Sequence, residues 1–171
     1  MVERISTRKR EPEPAENLYE QSMRAVNENL RQRMEGKVIV KWDEGQFEQG
    51  RMGFAKYLLH RKDWDKVGTP GWHIFINRIR THGGLHNHQG GLVIYVLEGE
   101  GYSTVDGVRY DWEAGDLVVL PIKPDGVDHQ HFNTDPNKPA EWIAFVFYPM
   151  WEAVGVGMVQ KQEHPDWAKG K

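Results

Sequence analysis

HNHQGGLVIYVLEGEG, running from His86 to Gly101, decides how the rest of the chain is read. Two histidines stand one residue apart, an apolar run follows from Leu92 to Leu97, and Glu98-Gly99-Glu100-Gly101 closes it as a glycine-punctuated turn. In extended backbone, residues i and i+2 share a face, so His86 and His88 point together. A second pair at the same spacing, His129 and His131, lies further along. Five of the eight histidines fall in the windows 82–88 and 129–131. Imidazole is a common metal ligand and titrates near neutrality, so this clustering points to metal or acid–base chemistry.

Outward from that stretch, the chain reads as short strands broken by turn signals. Residues 72–81 form a strand, and His82-Gly83-Gly84 a break. The runs 102–105 and 108–112 pair across Asp106-Gly107, a dipeptide suited to a tight primed hairpin. Residues 117–120, 130–133 and 142–148 are further strands. Many short strands at this spacing predict an all-β antiparallel barrel or jelly roll. No internal repeat is visible, so one barrel is expected.

The N-terminal part differs. Residues 1–14 read as a disordered lead with alternating charge and little to bury. Leu18, Tyr19, Met23, Val26, Leu30 and Met34 recur at helical steps, which predicts an α-helix ending at Gly36. Its apolar face is expected to dock on the barrel or on a partner subunit. Val38–Trp42 reads as a strand, and residues 44–65 give no firm pattern. The division expected is a lead (1–14), a helix with a barrel-flanking segment (15–71), the barrel (72–150) and a C-terminal extension (151–171).

Composition narrows the function. A formal net charge of −3 and the lack of a long basic run argue against nucleic-acid binding. There are no cysteines, which removes disulfides and thiolate ligands. No apolar run reaches transmembrane length, and the first residues lack the apolar core of a signal peptide, so a cytoplasmic protein without membrane attachment is expected. Seven tryptophans are present, and Trp72 and Trp142 on predicted strands read as core.

Two motifs in order resemble the cupin family. Its first motif is H-x-H, a short gap, a glutamate and a distal glycine; here His86, His88 and Gly99 match. Its second, P-x-G-x-x-H-x-x-x-N, is matched without a gap by Pro124, Gly126, His129 and Asn133. The resemblance spans about residues 72–148, and Gly115 fits it too. It implies a double-stranded β-helix, or jelly-roll barrel, preceded by the N-terminal α-helix. Where the family glutamate is usual, this chain has Leu92 or Val93. Either the barrel has lost its metal, or this is a three-histidine site similar to those of gentisate- and salicylate-type and diketone-cleaving dioxygenases. His129-Gln130-His131-Phe132-Asn133 is similar to the H-x-H-x-N of the gentisate type.

That resemblance implies His86, His88 and His129 as metal ligands and His131 as the catalytic residue beside the substrate, with exchange of roles between His129 and His131 left open. Three neutral imidazoles leave the full 2+ charge on a metal, which favours an anionic chelating ligand. Iron(II) is the metal expected; manganese, nickel, zinc and copper also suit imidazole. Leu92, Ile94 and Val96 alternate along one wall and are expected to line the pocket. Gentisate- and salicylate-cleaving enzymes hold the substrate carboxylate with an arginine six residues after the second histidine, where this chain has Ile94. Arg78 and Arg80 are candidate replacements, and Asn133 is a candidate for fixing a ring or contacting substrate. Gln89 and His82 read as peripheral. The expected function is a dioxygenase that uses O₂ to cleave a C–C bond in a small hydroxylated aromatic or a β-diketone, in a homodimer or higher homo-oligomer. A metal-dependent isomerase, lyase or decarboxylase, and a non-catalytic ligand-binding module, are the alternatives.

Overall fold

The structure, a computed structural model, describes residues 17–155 and 157–169. The predicted lead at 1–14 lies outside them. Two antiparallel sheets face each other. One has six strands in the order β1 (Glu48–Gln49), β2 (Phe54–Leu59), β3 (Trp72–Ile79), β10 (Ala140–Phe147), β5 (Leu92–Glu98), β8 (Leu117–Val119). The other has five, in the order β11 (Val159–Gln160), β4 (His86–His88), β9 (Val127–Asn133), β6 (Glu100–Val105), β7 (Val108–Glu113). The expected all-β jelly-roll barrel is what these residues build.

Alternation along the strands makes the core. On β5, Leu92, Ile94 and Val96 are buried while Val93, Tyr95 and Leu97 face outward. Trp142, Ala144 and Val146 on β10 lie opposite Val96, Ile94 and Leu92 and are buried with them. Each such large apolar side chain contributes roughly 1.5–3 kcal/mol when removed from water. The β6–β7 hairpin turns at Asp106 and Gly107, with φ of 49° and 82°, the left-handed pair that a primed turn needs.

Helix α1 (Leu18–Glu35) starts at Asn17, whose side chain accepts from the Glu20 amide at 3.0 Å. Gly36 ends it through close approach rather than an unusual dihedral: a Cβ there would lie 2.5 Å from the Gly68 nitrogen. None of its residues is buried, and Leu18 and Met34 remain more than three-quarters exposed. Two short helices follow the barrel, α2 (Tyr148–Ala153) and α3 (Pro165–Lys169).

Val38–Trp42 is not a strand. Only the preceding Lys37 makes a bridge, to Val67, and the segment is largely exposed, touching the six-stranded sheet at Trp42. There the Trp42 carbonyl accepts from Lys56 Nζ at 2.7 Å, and Lys56 and Arg78 lie over the Phe47 ring. β-propensity reflects fit to a paired surface, and this segment has no partner strand. The undecided stretch 44–65 supplies β1, β2 and a 3-10 turn at Arg61–Asp63.

Candidate metal centre and its cavity

Register brings the histidines together. His86 on β4 is directly opposite His129 on β9, and His88 follows on the same inward face. Ring centroids are 4.1 Å apart for His86–His129 and 4.4 Å for His88–His129. One ring nitrogen from each of His86, His88 and His129 can be chosen so that all three lie within 4.8 Å of one another. Among the described residues no carboxylate joins the group. Gly126 allows β9 to begin there: its φ is +80°, and a Cβ would come 2.1 Å from Asn87 Oδ1.

The rings are held neutral. Burial pushes His88 down to about 3, with His86 adding to the effect. Burial likewise lowers His86, against a small opposing pull from the Gly84 carbonyl, and holds His129 well below the ordinary value, helped by its histidine neighbours. Neutral imidazole is the form that binds a metal. His86 Nδ1–H donates to the Gly84 carbonyl and His129 Nδ1–H to the Val127 carbonyl, both at 3.0 Å, so each leaves an Nε2 lone pair. His88 differs: the Gly90 amide donates to its Nδ1 at 3.1 Å, which puts the proton of the neutral ring on Nε2. Two ligands fit a divalent metal as they stand. The third fits once its proton moves to Nδ1 and the Gly90 contact opens, or if it binds through Nδ1.

His131 is also buried, and burial, with the neighbouring His86 and His88 adding to the effect, pushes it down to about 3. Its Nδ1 lies 2.7 Å from Ser103 Oγ, directly across the β6–β9 ladder. Trp112 Nε1–H donates to the same hydroxyl at 2.9 Å. An indole N–H can only donate, and among the described residues the fully buried serine hydroxyl has no acceptor other than His131 Nδ1, so its proton goes there and His131 carries its own on Nε2. Neither Ser103 nor Trp112 was singled out in the sequence, because only strand pairing reveals them.

These histidines form one wall of a cavity of about 60 Å³. A water needs roughly 10–15 Å³ by the same measure, so the space suits a small ligand. The six-stranded sheet supplies the opposite wall: Phe75, Asn77 and Ile79 from β3, Leu92 and Ile94 from β5, Trp142 and Val146 from β10. Leu92 and Ile94 line it as expected; Val96 packs with Trp112 and Ala140 instead. Helix α2 adds Tyr148 and Trp151. Trp151 sits 4.6 Å from the His88 ring, and its Nε1–H donates to the Gly90 carbonyl at 2.7 Å. Gln89 points away from the histidines, donating to the Trp151 and Gly155 carbonyls, and so holds α2 over the cavity.

Three candidate substrate residues are not in the cavity. Arg78 faces outward, paired with Glu141 at 2.5 Å and stacked on Phe47 at 4.3 Å. Arg80, two positions on, shares that outward face and is exposed. The reason is strand parity, since His73, Phe75, Asn77 and Ile79 take the inward positions. Asn133 organises a turn: its amide nitrogen donates to the Arg80, Asp135 and Lys138 carbonyls, and its oxygen accepts from the Asp135 amide. His82, with Nδ1 on the Gly83 carbonyl at 2.8 Å, is likewise outside the lining.

A family model described as the cupin domain matches residues 72–146. Gentisate 1,2-dioxygenase of Ralstonia sp. is 36% identical over 66 residues, which are 38% of this chain and 18% of that protein. Salicylate 1,2-dioxygenase of Pseudoaminobacter salicylatoxidans superposes with a TM-score of 0.51 at 20% identity, covering 85% of this chain and 36% of that one. A polyketide cyclase of Streptomyces resistomycificus gives 0.51 at 18% identity, covering 64% and 78%. The chain thus spans well under half of either dioxygenase, and the structural likenesses show the fold alone. Both sheets, both motifs and the histidine cluster agree with the matching model: the barrel of this chain is a cupin domain with a three-histidine site.

Proposed function

We propose that the chain is an iron(II)-dependent dioxygenase that cleaves a C–C bond in a small hydroxylated aromatic or β-diketone substrate. The observation that carries this reading is the set of three buried, neutral imidazoles, with no carboxylate, opening onto a small and mostly apolar cavity. The partial likeness to gentisate and salicylate dioxygenases supports it. Iron(II) bound by His86, His88 and His129 would supply open coordination positions and reducing electrons for dioxygen chemistry.

The chain's own residues do the remaining work. His131, with its proton held on Nε2 by Ser103, donates a hydrogen bond to an anionic oxygen of the substrate. Leu92, Ile94 and Val146 keep water from the ligand and lower the local dielectric, which strengthens that contact. Trp151 and Tyr148 close the side over His88. The exposed apolar face of α1 supports a homodimer or higher homo-oligomer, measurable by sedimentation.

The test is oxygen uptake by the iron-loaded chain over a panel of catechols, hydroxybenzoates and β-diketones, with substrate loss followed in parallel. Stoichiometric loss of O₂ and substrate is expected for at least one of them. Substrate loss without oxygen uptake would move the assignment to a lyase or isomerase.

A further inference from the structure

The wall that faces the histidines carries polar atoms with nothing to bond. Asn77 on β3 and Trp142 on β10 are directly opposite in register, and both line the cavity. Both are buried, at 7% and 3% exposure. Asn77 Oδ1 and Trp142 Nε1 nevertheless have no hydrogen-bond partner, and neither does His73 Nδ1 on the same wall. Buried polar groups are almost always paired, so three on one cavity wall mark a surface completed by a ligand.

Their chemistry specifies that ligand. An indole N–H only donates and a carboxamide oxygen only accepts. The ligand must therefore bring an acceptor and a donor side by side, and a single hydroxyl or enol supplies both. A carboxylate supplies acceptors alone, and this wall carries no lysine or arginine to balance its charge; the histidines that would hold a cation lie on the opposite wall. Arg78, the nearest strand neighbour of Asn77, is committed to Glu141 on the other face. An apolar body fits between Phe75, Ile94 and Val146.

We propose that Asn77 and Trp142 form a neutral recognition pair that takes a hydroxyl or enol group of a small substrate and selects against a carboxylate at that position. His73 Nδ1 meets a second oxygen of the same ligand. This rests on the cavity being the substrate site, and it sets specificity independently of which metal the histidines hold.

Phenol, toluene and benzoate share one ring and differ at one substituent. Their binding to the full, metal-loaded chain is measured by calorimetry under argon, beside Trp142→Phe, which removes the N–H and keeps an aromatic ring, and Asn77→Leu, which keeps the side-chain size; toluene on each variant reads the change in packing. Circular dichroism and metal content confirm that each variant is folded and loaded. Phenol is expected to bind about tenfold more tightly than toluene or benzoate, and each variant to lose about tenfold for phenol with toluene unchanged. Benzoate binding as tightly as phenol, variants that keep wild-type phenol affinity, or no saturable phenol binding would each overturn the pair. A chain with this selectivity that takes up no O₂ contradicts only the dioxygenase assignment; a chain that takes up O₂ and prefers benzoate contradicts only the pair.

Discussion

Ser103 Oγ lies 2.7 Å from His131 Nδ1, each residue directly opposite the other in the β6–β9 ladder. The serine is fully buried and also accepts from Trp112, so one hydroxyl settles which nitrogen of His131 holds the proton. Ser103→Ala strands two buried polar groups at once, and a stability loss of about 1–3 kcal/mol in urea denaturation is expected. Trp112→Ala is not the matching control, since it opens a large cavity; Trp112→Phe removes the donor and keeps an aromatic ring, with a smaller void. In turnover, Ser103→Ala should lower kcat more than it raises KM. Equal stability of Ser103→Ala and wild type would show that the bond does not hold the ring.

Acid should unfold the protein early. His88 and His131 both titrate near 3 in the folded chain, against about 6.5 unfolded. Between those values the unfolded chain binds more protons, so stability rises with pH there and is lost as pH falls through the window. Above about pH 7.5 both states are neutral and the profile flattens. Each ring contributes a slope of about 1.4 kcal/mol per pH unit, so the two together approach about 3 kcal/mol per pH unit in the middle of that window. Denaturant midpoints taken across pH 4.5–8 check this, and a flat profile would contradict neutral burial of the rings.

Two glycines separate conformational strain from crowding. Gly107 and Gly126 share a left-handed φ near +80°, yet a Cβ at Gly107 meets nothing within 4 Å, whereas one at Gly126 would lie 2.1 Å from Asn87 Oδ1. Gly107→Ala should cost about 1–2 kcal/mol from the dihedral alone. Gly126→Ala should cost clearly more and weaken metal retention, because it displaces Asn87, which lies between His86 and His88. Equal losses at the two sites would mean that the close approach is not held in solution.

Much of this was legible in the sequence, and the exceptions share a cause. The inward faces of β4, β5 and β9 follow from strand parity applied to His86/His88, Leu92/Ile94 and His129/His131, and the motif spacing placed them in one barrel. Parity alone does not say which face of β3 is inward. Asn77 and Arg78 look equally polar in sequence, and only the pairing of β3 with β10 puts Asn77 inside and Arg78 on Glu141. Asn133 matched its motif position, but its bonds are to a turn. Tyr148 and Trp151 reach the cavity because Gln89 and Gly90 bond to α2 across a long sequence separation, which no local pattern reveals. Val38–Trp42 has strand-forming residues but no partner strand, and β-branched residues alone do not show whether a partner is in reach.

Elemental analysis of the chain after anaerobic incubation with iron(II) and desalting bears on the three-histidine centre most directly. The comparison is with His86→Ala/His88→Ala treated identically. About one iron per wild-type chain, absent from the double variant, is the expected result for an open site of three imidazoles. No retained metal in the wild type, or the same content in both proteins, would contradict the assignment of His86, His88 and His129 as ligands.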